Sequence, residues 1–148
     1  MSIDLDVQRA AGQAFVPSDA SFRTWVEAVL NECGKTMLTI RAVGLEESAE
    51  LNLRYRSKSG PTNVLSFTAD LPAEVGVPLL GDLVICAPLV AEEAKAQGKD
   101  IQAHWAHLVI HGVLHLLGYD HQTGSETRDM ESRETSLLAS LGYPDPYH

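Results

Sequence analysis

Cysteine is scarce in this chain of 148 residues: only Cys33 and Cys86 occur, far apart and in no C-x-x-C pair. That argues against a disulfide framework and against a cysteine-based metal site, and leaves two small buried thiols in a reducing cytosol as the simpler reading. Positive charge is scarce too. Eleven Lys and Arg face twenty Asp and Glu, a net charge of −9. A protein that coats nucleic acid through phosphate contacts needs the opposite balance. No apolar run approaches the roughly 20 residues of a membrane helix. The opening Met1-Ser-Ile-Asp-Leu-Asp6 is acidic and alternating, unlike a secretory leader, so the expectation is a cytoplasmic protein without membrane contact. Repeats, linkers and low-complexity stretches are also missing. With 45% apolar residues, residues 1–148 are expected to form one domain around one core.

The charge that is present is uneven. Residues 35–61 carry Lys35, Arg41, Arg54, Arg56 and Lys58 against Glu46, Glu47 and Glu50, a local +2 on a body of −11. A basic edge on an acidic body can hold a short stretch of RNA, and it predicts selective contact rather than coating. A solvated charge cluster accounts for the same composition equally well.

Hydrophobic periodicity divides the chain into four strands and five helices. Ile3, Leu5 and Val7 alternate with Asp4, Asp6 and Gln8, the pattern of a half-buried strand. Pro17-Ser-Asp19 starts a helix with Phe22, Trp25, Val26, Val29 and Leu30 at helical spacing, stopped by Gly34. Residues 37–43 read as a strand. Residues 45–55 read as a helix with Leu45, Ala49 and Leu53 on one side. Ser57 to Pro61 is a loop, and 64–67 and 82–87 are strands. Pro88 opens a helix ended by Gly98, and Asp100 caps the next, which runs to about Leu117 before Gly118. A last helix spans about 125–141. Mixed strands with helices gathering late predict an α+β fold with a small mixed four-stranded sheet.

Histidine is what the chain has in excess. Five of six fall between His104 and His121. Within that stretch, His111-Gly-Val-Leu-His115-Leu-Leu-Gly118-Tyr-Asp-His121 has the spacing H-x-x-x-H-x-x-G-x-x-H of the zinc ligands in metzincin proteases, on a zincin-like helix. Residues four apart on a helix lie about 40° apart around the axis and about 6 Å along it, so His111 and His115 can aim at one ion. Gly118 lets the chain reverse, and His121 can return as a third ligand. Three imidazoles and an open position describe a catalytic rather than a structural site. His107 with His111 is an H-x-x-x-H pair as well. Only His111 with His115 sets Gly118 and His121 correctly, which leaves His104 and His107 as packing or supporting residues. Zinc is the expected ion, with nickel or copper fitting the same ligands. Gly112 stands where a metzincin protease carries its general-base glutamate.

The histidine segment resembles the signature of the YbeY family of bacterial endoribonucleases. Two further blocks agree: Asn52-Leu-Arg-Tyr-Arg56-Ser-Lys-Ser-Gly-Pro61-Thr-Asn-Val-Leu-Ser-Phe67, and Leu80-Gly-Asp82-Leu-Val-Ile85. The tail from Met130-Glu131 through Glu134 to Leu141-Gly-Tyr143 is similar also. Thr68 departs from the proline frequent after the phenylalanine, and the Ser57–Gly60 loop lacks an acidic residue seen in many relatives; neither is a ligand position. The resemblance implies that His111, His115 and His121 bind zinc, that Arg56 is a functional arginine near the metal, and that the metal helix packs behind a small mixed sheet. By its residue chemistry alone, Arg56 reads first as a surface arginine at a helix C-terminus. The resemblance further implies a single-strand-specific, metal-dependent endoribonuclease domain over residues 1–148. Its work would be ribosomal RNA maturation at the 16S 3′ end and ribosome quality control, guided by a small-subunit ribosomal protein or an assembly GTPase. Two rivals remain: a zinc metallopeptidase, and a non-catalytic assembly factor that uses zinc for structure.

Overall fold

The computed structural model describes residues 3–31, 35–69, 79–119 and 122–147. Cys33, the expected helix stop Gly34, Asp120 and the expected ligand His121 lie outside them. The elements run β1 (Ile3–Ala10), α1 (Asp19–Leu30), β2 (Thr36–Val43), α2 (Leu45–Arg56), β3 (Val64–Thr68), β4 (Leu79–Cys86), α3 (Ala87–Gln97), α4 (Ile101–Leu116) and α5 (Gly124–Ser140). The sheet is mixed, in the order β1-β2-β4-β3. β1 and β4 flank β2 in parallel, and β3 closes the edge antiparallel to β4. This is the α+β architecture expected, with four strands and five helices among the described residues.

Local chemistry explains most boundaries. The Ser18 Oγ accepts from Ser21 N at 3.2 Å and starts α1. Asp100 does the same for α4 through Ala103 N at 3.2 Å, and Thr123 for α5 through Glu126 N at 3.1 Å. Gly98 (φ 64) and Gly118 (φ 103) take left-handed conformations just past α3 and α4.

Strand alternation sorts the side chains into two layers. Leu38 and Ile40 of β2 join Leu83 and Ile85 of β4 on one face, under Phe22, Trp25, Val26, Val29 and Leu30 of α1 and the apolar side of α4. Phe22 packs edge-on to Trp25 and Trp105, with centroids 5.8 and 5.7 Å away. The other face holds a smaller cluster, Val43, Leu65, Val84 and Cys86, against Leu51, Phe67 and Leu89. α4 is therefore a core helix. Trp105, Val109, Ile110 and Val113 are fully buried, so only its histidine side is left for chemistry. No described helix is long and apolar enough to cross a membrane.

One helix turns a different side inward than its leucines suggest. On α2, Leu45 and Leu53 are 48% and 61% exposed, while the buried residues are Ser48 and Asn52. Leu51 packs on the sheet, and hydrogen bonds of the buried polar residues fix this orientation. The Ser48 hydroxyl donates to Thr62 O at 2.8 Å and accepts from Thr62 N at 3.0 Å, and Asn52 Nδ2 donates to Gly60 O at 2.8 Å. These bonds dock the 57–63 segment onto the helix. Ser57, with a left-handed φ of 55, makes the reversal directly after Arg56.

Candidate metal centre

The histidines of α4 form a row, and three of them, His104, His107 and His111, meet a carboxylate from a neighbouring helix. His104 Nε2 lies 2.9 Å from Glu93 Oε1 of α3. His107 Nε2 lies 2.7 Å from Glu134 Oε2 of α5, and His111 Nδ1 lies 2.8 Å from Glu134 Oε1. The Tyr147 hydroxyl donates to Glu134 Oε2 at 2.5 Å. Glu134 is 0% exposed, and a buried carboxylate is tolerable only when donors surround it. Burial pushes its carboxyl up, but the bonds from His107, His111 and Tyr147 outweigh that and hold it down at about 2.

With Nδ1 of His111 turned to Glu134, its other ring nitrogen, Nε2, faces His115. That Nε2 lies 3.1 Å from Nε2 of His115, one turn on. Two ligands of a tetrahedral zinc, each about 2.0–2.1 Å from the ion, stand slightly more than 3 Å apart, so this pair fits a shared ion. Ligand atoms of His107, His111 and Glu134 also lie within 4.8 Å of one another, a histidine–carboxylate cluster that could hold a metal. Their 2.7 and 2.8 Å contacts are hydrogen-bond lengths, shorter than two ligands of one ion allow. Hydrogen bonding to Glu134 accounts for the closeness of the three side chains.

Arg56, at the last turn of α2, enters the same space. Its Nη2 donates to Ser66 O on β3 at 3.0 Å. Arg56, His111 and His115 share a cleft of about 660 Å³ with Asn63, Val64, Ser66, Thr68 and Gln122. Gln122 follows His121 directly in the chain. A second cavity of about 600 Å³, under residues 142–146, is lined by His104 and His107 but by neither His111 nor His115.

Gly112 has a packing reason. A Cβ there would sit 2.7 Å from Leu83 Cδ2 and 3.4 Å from Ser66 Oγ. α4 thus lies directly on β3 and β4, and the position of a protease's glutamate faces the sheet rather than the cleft. Met130, which in a metzincin would belong to a turn, is buried within α5.

His104 is a test of the acid limb of stability. Burial lowers its pKa from the ordinary 6.5, aided by His107 and Lys99 and opposed by the bond and charge of Glu93. Its Nδ1 is buried without a hydrogen-bond partner among the described residues, so a second ring proton meets no acceptor. The unfolded chain takes up that proton near pH 6.5 while the folded one resists it. This group therefore leaves stability unchanged above about pH 6.5 and reduces it as pH falls below. Urea midpoints measured between about pH 7 and pH 5 should fall, and His104→Gln should flatten the slope.

Sequence reasoning gave Glu134 and Tyr147 no role. Glu134 did leave a signal. It interrupts the stripe Met130, Leu137, Leu138 at the i+4 position, and a carboxylate in an apolar stripe needs a buried partner.

Fold and site together define a class: small α+β proteins whose core helix presents a histidine row to a polar cleft. The profile of the family described as Endoribonuclease YbeY matches residues 9–142. Proteins named Endoribonuclease YbeY from Nitrosococcus oceani and Pseudomonas putida are 57% and 56% identical, covering 99% and 98% of this chain and 98% and 93% of their own. A third, from Pseudomonas entomophila, is 55% identical over 98% of this chain and 93% of its own. The solution structure of a Thermotoga maritima protein, 22% identical, superposes with a TM-score of 0.59 over 93% of this chain and 91% of that one, a likeness of fold. The chain belongs to the YbeY endoribonuclease family.

Proposed function

We propose that residues 1–148 are a single domain acting as a single-strand-specific, metal-dependent endoribonuclease in ribosomal RNA maturation. In this reading His111, His115 and His121 hold one zinc ion, and Arg56 binds the phosphate. The observation that carries it is the cleft that gathers Arg56, His111 and His115. Bound zinc would supply Lewis acidity at the phosphodiester and lower the pKa of a water.

The chain's own residues do the rest. The Arg56 guanidinium suits a phosphate oxygen pair and the negative charge that develops there. To do so it must exchange its bond to Ser66 O for the substrate. Asn63, Ser66 and Thr68 line the cleft and bring polar groups that a sugar–phosphate backbone can use. A single extended strand suits this space better than a duplex, because splayed nucleotides present phosphate and ribose separately. With glycine at 112 there is no glutamate to take a proton from water. RNA brings its own 2′-OH as a nucleophile, which relaxes that need.

The acidic body fits delivery by a partner, a small-subunit ribosomal protein or an assembly GTPase, in the cytoplasm. Nickel or copper could replace zinc in the same ligands.

The test is cleavage of a defined 16S precursor by purified protein. Arg56→Ala should lose about a hundredfold or more in rate while keeping its zinc. Cleavage by that variant at the wild-type rate would remove Arg56 from the reaction. Product ends separate two routes: a 2′,3′-cyclic phosphate reports attack by the 2′-OH, and a 5′-phosphate with 3′-OH reports attack by water.

A further inference from the structure

We propose that Tyr55 is a nucleobase-stacking residue: its ring receives the base of an RNA nucleotide beside the phosphate held by Arg56. The inference rests on the endoribonuclease reading above and names how the protein grips a single strand. β3 is an edge strand, paired with β4 alone. Its side chains alternate, so Ser66 and Thr68 line the cleft of His111 and His115, while Phe67 between them turns to the opposite face of the sheet. The end of α2 straddles that edge. Arg56 Nη2 donates to Ser66 O at 3.0 Å, and the Tyr55 ring stands edge-on to Phe67 with centroids 5.4 Å apart. A strand with its phosphate at Arg56 therefore meets an aromatic ring on crossing β3.

Tyr55 is 57% exposed, but what it stands on is fixed: Phe67 packs on the smaller apolar cluster of the sheet. An exposed ring on a rigid support suits an unstacked base, and every base has a π-face to offer it. The ring opens on a cavity of about 490 Å³ with apolar walls from Leu51, Phe67 and Val84. The charges in that cavity keep the phosphate out of it. Arg41 is engaged by Glu47, Nε to Oε2 at 2.6 Å and Nη2 to Oε1 at 2.9 Å, and the exposed Asp82 adds a negative charge. Carboxylate oxygens repel a phosphate and accept from the N–H groups of a base. The protein thus divides the nucleotide, with the phosphate at Arg56 on one side of β3 and the base at Tyr55 on the other. A base in a duplex reaches the ring only by leaving its stack, so this contact favours a single strand.

The test uses zinc-loaded protein, a single-stranded oligoribonucleotide and three variants. Tyr55→Ala should raise KM about tenfold or more with kcat changed less than about twofold, the mark of lost binding rather than lost chemistry. Tyr55→Phe should match wild type within about twofold, because stacking needs the ring and not the hydroxyl. Leu53→Ala removes a similarly exposed side chain (61%) from the same helix and should change neither constant. Oligonucleotides carrying 2-aminopurine at successive positions read the stack without cleavage: wild type and Tyr55→Phe should quench one position, Tyr55→Ala none. With an abasic nucleotide at that position, wild type and Tyr55→Ala should become equal. Unchanged KM and quenching in folded Tyr55→Ala overturn the inference, as does an equal loss in Leu53→Ala. A deficit of Tyr55→Ala on ribosomal particles alone, with the oligonucleotide unaffected, also overturns it and makes the ring a protein contact. Failure of the endoribonuclease reading looks different: wild type would cleave no RNA, while the 2-aminopurine signal would still report whether the base is held.

Discussion

His115→Ala should fold like the wild type and cleave no RNA. The side chain lies in the last turn of α4, half-buried on the cleft side, and it is not part of either apolar cluster. Its removal leaves no core cavity, so the denaturation midpoint of metal-free protein should move by less than about 1 kcal/mol. The zinc response should change far more. Outer partners of a ligand are worth 10- to 100-fold in affinity, so loss of a ligand itself should cost more than about a hundredfold. At a zinc concentration a hundred times its Kd, wild type gains about 2.7 kcal/mol of stability, and the variant should gain almost none. Circular dichroism, metal titration and cleavage of the same RNA precursor read the three effects together. If stripping the metal unfolds the wild-type protein, zinc is structural and the assembly-factor reading takes precedence. The variant, purified in parallel, is also the control against a contaminating ribonuclease.

Gly112→Glu should not create a peptidase; it should break the fold. The first atom of the new side chain would lie 2.7 and 3.1 Å from the methyls of Leu83, which is fully buried. Extra atoms in a packed core cost about 1–3 kcal/mol. The carboxylate beyond them would be driven between α4 and the sheet, and an unpaired buried charge costs several kcal/mol more. Together these rival the 5–15 kcal/mol by which typical domains are stable, so soluble yield should collapse or the urea midpoint fall steeply. Gly112→Ala separates the two costs. It gains about 1 kcal/mol of helix propensity, and its methyl meets the Leu83 methyls and, at ordinary contact distance, Ser66 Oγ, so its net loss should be small. A stable Gly112→Glu protein with peptidase activity would show that residue 112 faces the cleft after all.

The elements were legible because their signals are local. Asp100, Gly98 and Gly118 delimit α4 through caps that span three or four residues, and the alternation of β1 and β2 is read by eye along the chain. α2 shows where such reading ends. Its leucines have helical spacing, yet Ser48 and Asn52 are buried instead. Their partners, Thr62 and Gly60, come from a loop whose path the periodicity of α2 does not contain. The cleft divides in the same way. His111 and His115 are four residues apart on one helix, so their convergence follows from helix geometry. Arg56 reaches them only because Ser57 reverses the chain and β3 brings Ser66 beneath the guanidinium.

By itself, then, the chain's order of residues determined the α+β character, the histidine helix with its pair of converging imidazoles, and the family. Those follow from periods of two and 3.6 residues and from motifs a few residues long. Tertiary structure alone decided which carboxylate meets His111, why residue 112 is glycine and why His107 sits in the row. Each depends on an atom distant in sequence: Glu134 lies 23 residues from His111, and Tyr147 a further 13 from Glu134. The physical reason is that a buried charge is settled by whichever donors the packing brings to it, and packing is a property of the whole chain.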